Sequence, residues 1–84
     1  MTIKGYKKAK SILIHCINNN NSIFDRKGYA QTKITKYISA IPDYEIADIA
    51  QNEMEISFIG MEHINLMRKI ILSKEIKDVL SQIK

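Results

Sequence analysis

Hydrophobic positions along this chain repeat mostly with the period of a helix. Tyr6, Ala9, Leu13, Cys16 and Ile17 recur at spacings of three and four, which predicts a helix over 6–17 with those residues on one face. Asn18 to Asn21 follow, and four asparagines favour a turn. Ser22 is a good N-cap and Asp25 stands three residues on, so a very short helix is expected over 22–27, closed by Gly28. A further helix is expected from about Gln31 to Ala40, with Ile34, Ile38 and Ile41 as its apolar stripe and Pro42 as its stop.

Pro42 and Asp43 open the next helix, whose inner face is Ile46, Ile49 and Ala50. Met54, Ile56 and Phe58 then alternate with Glu55 and Ser57, the period of a strand, over five residues only. An extended connection is expected there. After Gly60 the helical period returns. Ile64, Met67 and Ile71 form one set, and Ile76, Val79, Leu80 and Ile83 form a second at i, i+3, i+4 and i+7. Ser73 could cap a separate last helix, or one helix could run through. The pattern as a whole predicts an all-α fold: a small helical bundle, with at most one short extended segment near 54–58.

Length narrows this further. Eighty-four residues allow one small domain and exclude a dinucleotide-binding fold or a large catalytic cleft. Seventeen residues are Ile, with no Trp and two Phe, so the core is expected to be aliphatic. No segment approaches 18 uninterrupted apolar residues, so no membrane span is expected. The first residues lack the small-residue cleavage site of a signal peptide and read as mature protein. Cys16 is the only cysteine, which excludes an internal disulfide and suggests a reducing cytoplasm.

Charge divides the chain. Residues 1–40 hold eight Lys/Arg and one acid, Asp25; residues 41–84 hold five bases and eight acids. A basic half joined to an acidic half is the pattern of a chain that touches a polyanion with one end.

Catalytic and cofactor chemistry finds little support. No Gly-rich phosphate loop occurs, and one Cys with two His cannot close a structural zinc site. His15 and Cys16 are adjacent, so on a helix they diverge by about 100°. Cys16 is expected to be a small core residue and His63 a partly exposed one. The acid pairs Asp43/Glu45 and Glu53/Glu55 are two apart, do not face each other on a helix, and read as solvated. No catalytic residue, metal site, cofactor or enzymatic activity is expected.

Residues 22–38 have the outline of a helix-turn-helix, with Ser22–Lys27 as first helix, Gly28 in the turn, and the helix around 31–40 entering the major groove. Its outward face would show Gln31, Thr32, Thr35, Lys36 and Ser39. Gln can pair with an adenine edge, Thr can touch a thymine methyl, and Lys can contact guanine or phosphate. Lys8 and Arg26 are further expected DNA contacts. Phe24, where such motifs usually bury a small residue, and Lys27, before the turn, depart from the pattern.

The order and spacing resemble the CII-type transcriptional activators of lambdoid phages. The stretches that carry the resemblance are GYAQTKITKYISAIPDYEIA and GMEHINLMRKIILSK. The resemblance implies an all-helical DNA-binding fold, assembly into tetramers, and activation of phage promoters beside RNA polymerase. It makes Gln31, Thr32, Lys33, Thr35 and Lys36 the DNA-facing set. On this basis the chain is expected to be a sequence-specific regulator of transcription that binds double-stranded DNA. The alternative is a small protein-binding module, an inhibitor or anti-defence protein, that binds no DNA.

Self-association is the last expectation. An uncovered stripe of Ile76, Val79, Leu80 and Ile83 would be unfavourable in water at roughly 1.5–3 kcal/mol per exposed side chain. The same stripe on another copy would cover it as a dimer or tetramer. Folding back on the helix at 6–17 is the other way to bury it.

Overall fold

The structure is a computed structural model that describes all residues from Met1 to Lys84. It contains four helices and no strand: α1 (Ile3–Asn18), α2 (Arg26–Ser39), α3 (Asp43–Met54) and α4 (Met61–Gln82). Thr2 caps α1, its hydroxyl accepting from the Gly5 amide at 3.0 Å. Pro42, extended, stands at the N-cap of α3, followed by Asp43 and Glu45 in the first turn. No helix is long and apolar enough to cross a membrane.

α1 and α2 form an antiparallel hairpin. The Met1 ammonium donates to the Ala40 carbonyl at one end, and the Ile17 carbonyl accepts from Arg26 at the other. α4 runs antiparallel to α2, because Arg68 reaches the carbonyls of Ile38 and Ile41 while Lys84 lies against Arg26. The molecule measures 47 × 18 × 15 Å. The second half of α4 completes a three-helix end with α1 and α2, and its first half packs with α3.

Thirteen residues are buried, seven of them Ile, and none is charged. The core is therefore aliphatic, as the composition implies. Ile34, Ile38, Ile41, Ile46 and Ala50 all lie in it. Residues 55–60 form an irregular connection that Glu55 opens in the left-handed conformation, φ 54°. The alternation at 54–58 comes to nothing: Ile56 is half-buried, but Phe58 is 82% exposed.

Three expectations need correction. The short helix at 22–27 is absent. Residues 19–25 are irregular, and Ser22 turns back on Asn20 through two hydrogen bonds. Asp25 is the cap instead: its carboxylate accepts from the Gly28 amide at 3.0 Å, so Gly28 lies in the first turn of α2. A Cβ on Gly28 would collide with that carboxylate, so the glycine makes room for the cap.

Cys16 is exposed, not buried. α1 buries Tyr6, Leu13 and Ile17, and the residue before Ile17 points away by about 100°.

The C-terminal stripe is covered within the chain. Val79 is fully buried, Ile83 is buried, and Ile76 packs against the same core, with Leu80 half-buried at the edge. α4 continues unbroken through Ser73, so it carries this stripe back along α1 and α2. The stripe thus gives no ground for a dimer or tetramer.

Candidate nucleic-acid interface

α1 and α2 carry eight Lys/Arg and no carboxylate within their helical spans. Of the eight only Lys10 makes an ion pair; Arg26 is spent on backbone carbonyls, and Lys4, Lys7, Lys8, Lys27, Lys33 and Lys36 are left unpaired. Neither helix has an acid in its first turn, whereas Lys4 stands in the first turn of α1 and Arg26 and Lys27 in that of α2. Cations there oppose the helix dipole at roughly 0.3–1 kcal/mol each. The helix dipole therefore does not account for Lys4 or Lys27.

The exposed side of α2 brings together most of the expected reading residues. Gln31, Thr32, Thr35, Lys36 and Ser39 are all exposed. Gln31 and Thr35 stand one turn apart, and the Thr35 hydroxyl donates to the Gln31 carbonyl at 2.9 Å, which leaves its lone pairs free to accept. Lys33 differs. It is half-buried on the side of α2 toward α1, with its ammonium 5.6 Å from the centroid of the Tyr29 ring. Lys8 is exposed on α1.

Arg26 is a correction. Its guanidinium donates to the Ile17 carbonyl at 2.7 Å and the Lys84 carbonyl at 2.6 Å. It caps the ends of α1 and α4 and is turned away from any ligand on the α2 crest. Asn18 joins it, donating to the Gln82 carbonyl and accepting from the Lys84 amide. Arg68 does the same at the other end, bridging the Ile38 and Ile41 carbonyls to Asp43. These are the only two arginines in the chain. That scarcity was a signal: a planar fork of five donors suits a point where several acceptors converge, and lysine does not.

With the first helix at 22–27 gone, the consecutive helices joined by a tight turn are α2 and α3, across Ala40, Ile41 and Pro42. Their geometry does not restore a reading motif. α3 carries Asp43, Glu45, Asp48 and Glu53 and no base. A helix of that charge is repelled from a groove lined by phosphates.

The paired acids are partly engaged: Asp43 holds Arg68, and Glu45 accepts from the Ile3 amide at 3.0 Å. His63 is half-buried, its Nδ1 accepting from the Gly60 amide at the start of α4. His15 is exposed. No group of three His, Cys, Asp or Glu side chains is placed to hold a metal.

One titratable cluster lies between α1 and α4. Lys10 bonds Glu75 at 3.1 Å and Asp78 at 2.5 Å. Burial pulls the Lys10 ammonium down, but its bonds to Asp78 and Glu75 outweigh this and raise it above its ordinary value. The Tyr6 hydroxyl is buried beside Glu75 without a hydrogen bond of good geometry. Burial, with the two carboxylates, raises this phenol far above its ordinary value. Its neighbours are structural partners, so the cluster reads as a packed seam.

No protein-family model, no curated protein and no solved structure matches this chain.

Proposed function

We propose that the chain binds double-stranded DNA through α1 and α2, as a small regulator of transcription. The observation that carries this is six unpaired lysines on two helices that hold no carboxylate. Lysines so placed displace condensed counterions from phosphates, and this release supplies most of the affinity of a non-specific contact. Gln31 and Thr35 on the α2 crest are the groups that select bases, and Lys8 and Lys36 hold the backbone. The resemblance to CII-type activators supports the same ligand and adds promoter DNA as its setting.

Fluorescence anisotropy with a labelled duplex tests it. Binding weakens steeply with salt, and Lys8→Gln and Lys36→Gln each reduce the salt slope by about one unit on every sequence. Gln31→Ala costs about 1–3 kcal/mol on a preferred site and little on random duplex. Absence of binding at about 50 mM salt, where phosphate contacts are strong, removes the proposal.

A further inference from the structure

The seam between α1 and α2 is open and apolar. Ile12 and Cys16 on α1 face Ile23, Tyr29 and Tyr37 across a shallow groove of about 400 Å³, with Lys33 also on its wall. Ile12 is 55% exposed, and Tyr29 is exposed as well. Below them the seam is closed by Leu13 and by Tyr37, which meets Tyr6 edge-on at 6.5 Å. The groove is thus a floor of packed side chains with unsatisfied apolar surface above it.

Its banks are cationic. Lys8 stands one turn before Ile12 on the same side of α1, and Lys36 stands three residues after Lys33 on α2. No carboxylate lines the groove, and Asp25, next to its Ile23 wall in sequence, is engaged in capping α2. The seam from Ala9 to Cys16 runs roughly 10 Å, two helical turns. A third helix seats its ridge in the groove between two antiparallel helices, with anchors at i, i+3 or i+4, and i+7.

We propose that this seam docks an amphipathic helix of a partner protein whose apolar stripe is flanked by carboxylates. Its aliphatic anchors cover Ile12 and Tyr29, and its acids meet Lys8 on one bank and Lys36 on the other. A second copy fits poorly. The acidic helix of this chain, α3, already spends its aliphatic residues Ile46 and Ala50 in its own core, and of its large apolar side chains only Tyr44 stands well exposed, which is no stripe of aliphatic anchors. Phosphates alone have no use for an aliphatic floor.

The probes are two labelled synthetic helices with Leu at i, i+3, i+4 and i+7, one flanked by Glu and one by Lys, read by anisotropy against the full chain. The Glu-flanked helix binds, and the Lys-flanked one binds at least about tenfold more weakly. Ile12→Glu and Lys8→Glu each weaken the acidic helix about tenfold or more, while Leu66→Glu, a half-exposed apolar site at the far end of the molecule, leaves it unchanged. Helical circular dichroism confirms that each variant folds; Ile12, already half in solvent, tolerates the change. Three results overturn the proposal: no binding of the acidic helix, equal binding of both helices, or loss through Leu66→Glu and not Ile12→Glu. Sedimentation adds a fourth, a wild-type dimer that Ile12→Glu dissolves, since the occupant is then a second copy. Lys8 and Lys36 serve both proposals, but Ile12 is not among the proposed phosphate contacts, so Ile12→Glu, which removes the acidic helix and leaves DNA binding in place, separates them.

Discussion

The two ends of the molecule are built on different principles. At one end, α1, α2 and the second half of α4 enclose Leu13, Ile17, Ala30, Ile34 and Val79 from three sides. At the other, α3 and the first half of α4 enclose Ile46, Ala50, Ile64 and Met67 from two, and leave Phe58, Met61 and Leu66 in solvent. The first end is basic on its surface and the second acidic. α4 serves both by burying different faces: Ile64 and Met67 point toward α3, while Val79 and Ile83 continue a stripe rotated around the helix. A helix that is apolar on several sides need not imply a membrane or an oligomer. Here it marks a helix that changes neighbours along its length.

Removing packing at the three-helix end has the largest effect. Ile34 is fully buried on the central helix α2. Ile34→Ala costs about 2–5 kcal/mol through the lost transfer free energy and the cavity left behind. In an 84-residue domain that is a large share of total stability. Urea unfolding shows a lower midpoint by every probe, because α2 touches both α1 and α4. If reporters on α3 keep the wild-type midpoint, the ends unfold independently and the single cooperative unit is wrong.

Arg68 joins the two ends, and losing it has a smaller and more local effect. Arg68→Ala leaves the Ile38 and Ile41 carbonyls without their donors and releases Asp43, at about 1–3 kcal/mol. Amide exchange in α3 accelerates more than in α1 or α2, since Arg68 holds the first residue of α3 through Asp43. Arg68→Lys recovers little, because one ammonium cannot reproduce the fork. Equal acceleration in all four helices indicates that Arg68 supports global stability only.

Much of this fold was legible in the chain. Pro42 fixes a boundary by its own ring, and Ile34, Ile38 and Ile41 keep a strict helical spacing up to it, so that helix and its buried face followed directly. Gly28 misled. Ser22 to Asp25 fits a capping box, and Asp25 to Gly28 fits the N-cap spacing just as well, with a glycine that reads as a turn and is tolerated in a first helical turn. Local spacing cannot choose between them, and the choice decided whether a helix-turn-helix formed. The stripe at Ile76 to Ile83 was legible as apolar, but what covers it depends on whether α4 stays straight past Ser73. Arg26 was legible as a charge and not as a cap, because its acceptors come from residues 9 and 58 positions away.

The smallest effect separates the ends by pH. Only the three-helix end holds a titrating cluster in a helix seam, Tyr6 and Lys10 on α1 against Glu75 and Asp78 on α4. Both Tyr6 and Lys10 are raised in the folded chain. Their contribution is therefore fully present below their ordinary values, near 10 for both, and is lost as pH rises above that. Stability stays flat from neutral pH to about 9 on account of these groups, then falls by at most about 1.4 kcal/mol per pH unit for each. Tyr6→Phe keeps the ring against Tyr37 and deletes a hydroxyl buried without a good partner. At neutral pH the variant is equal to the wild type or more stable by about 1 kcal/mol, since no hydrogen bond is lost and a desolvated polar group is removed. Above pH 10 its advantage grows, because the unfolded wild type releases a phenolic proton that the folded chain retains. Thermal melts of both proteins at pH 7, 9 and 10.5 measure this. Parallel curves at all three values place the Tyr6 hydroxyl in water, and the alkaline weakness of the basic end then belongs to Lys10 alone.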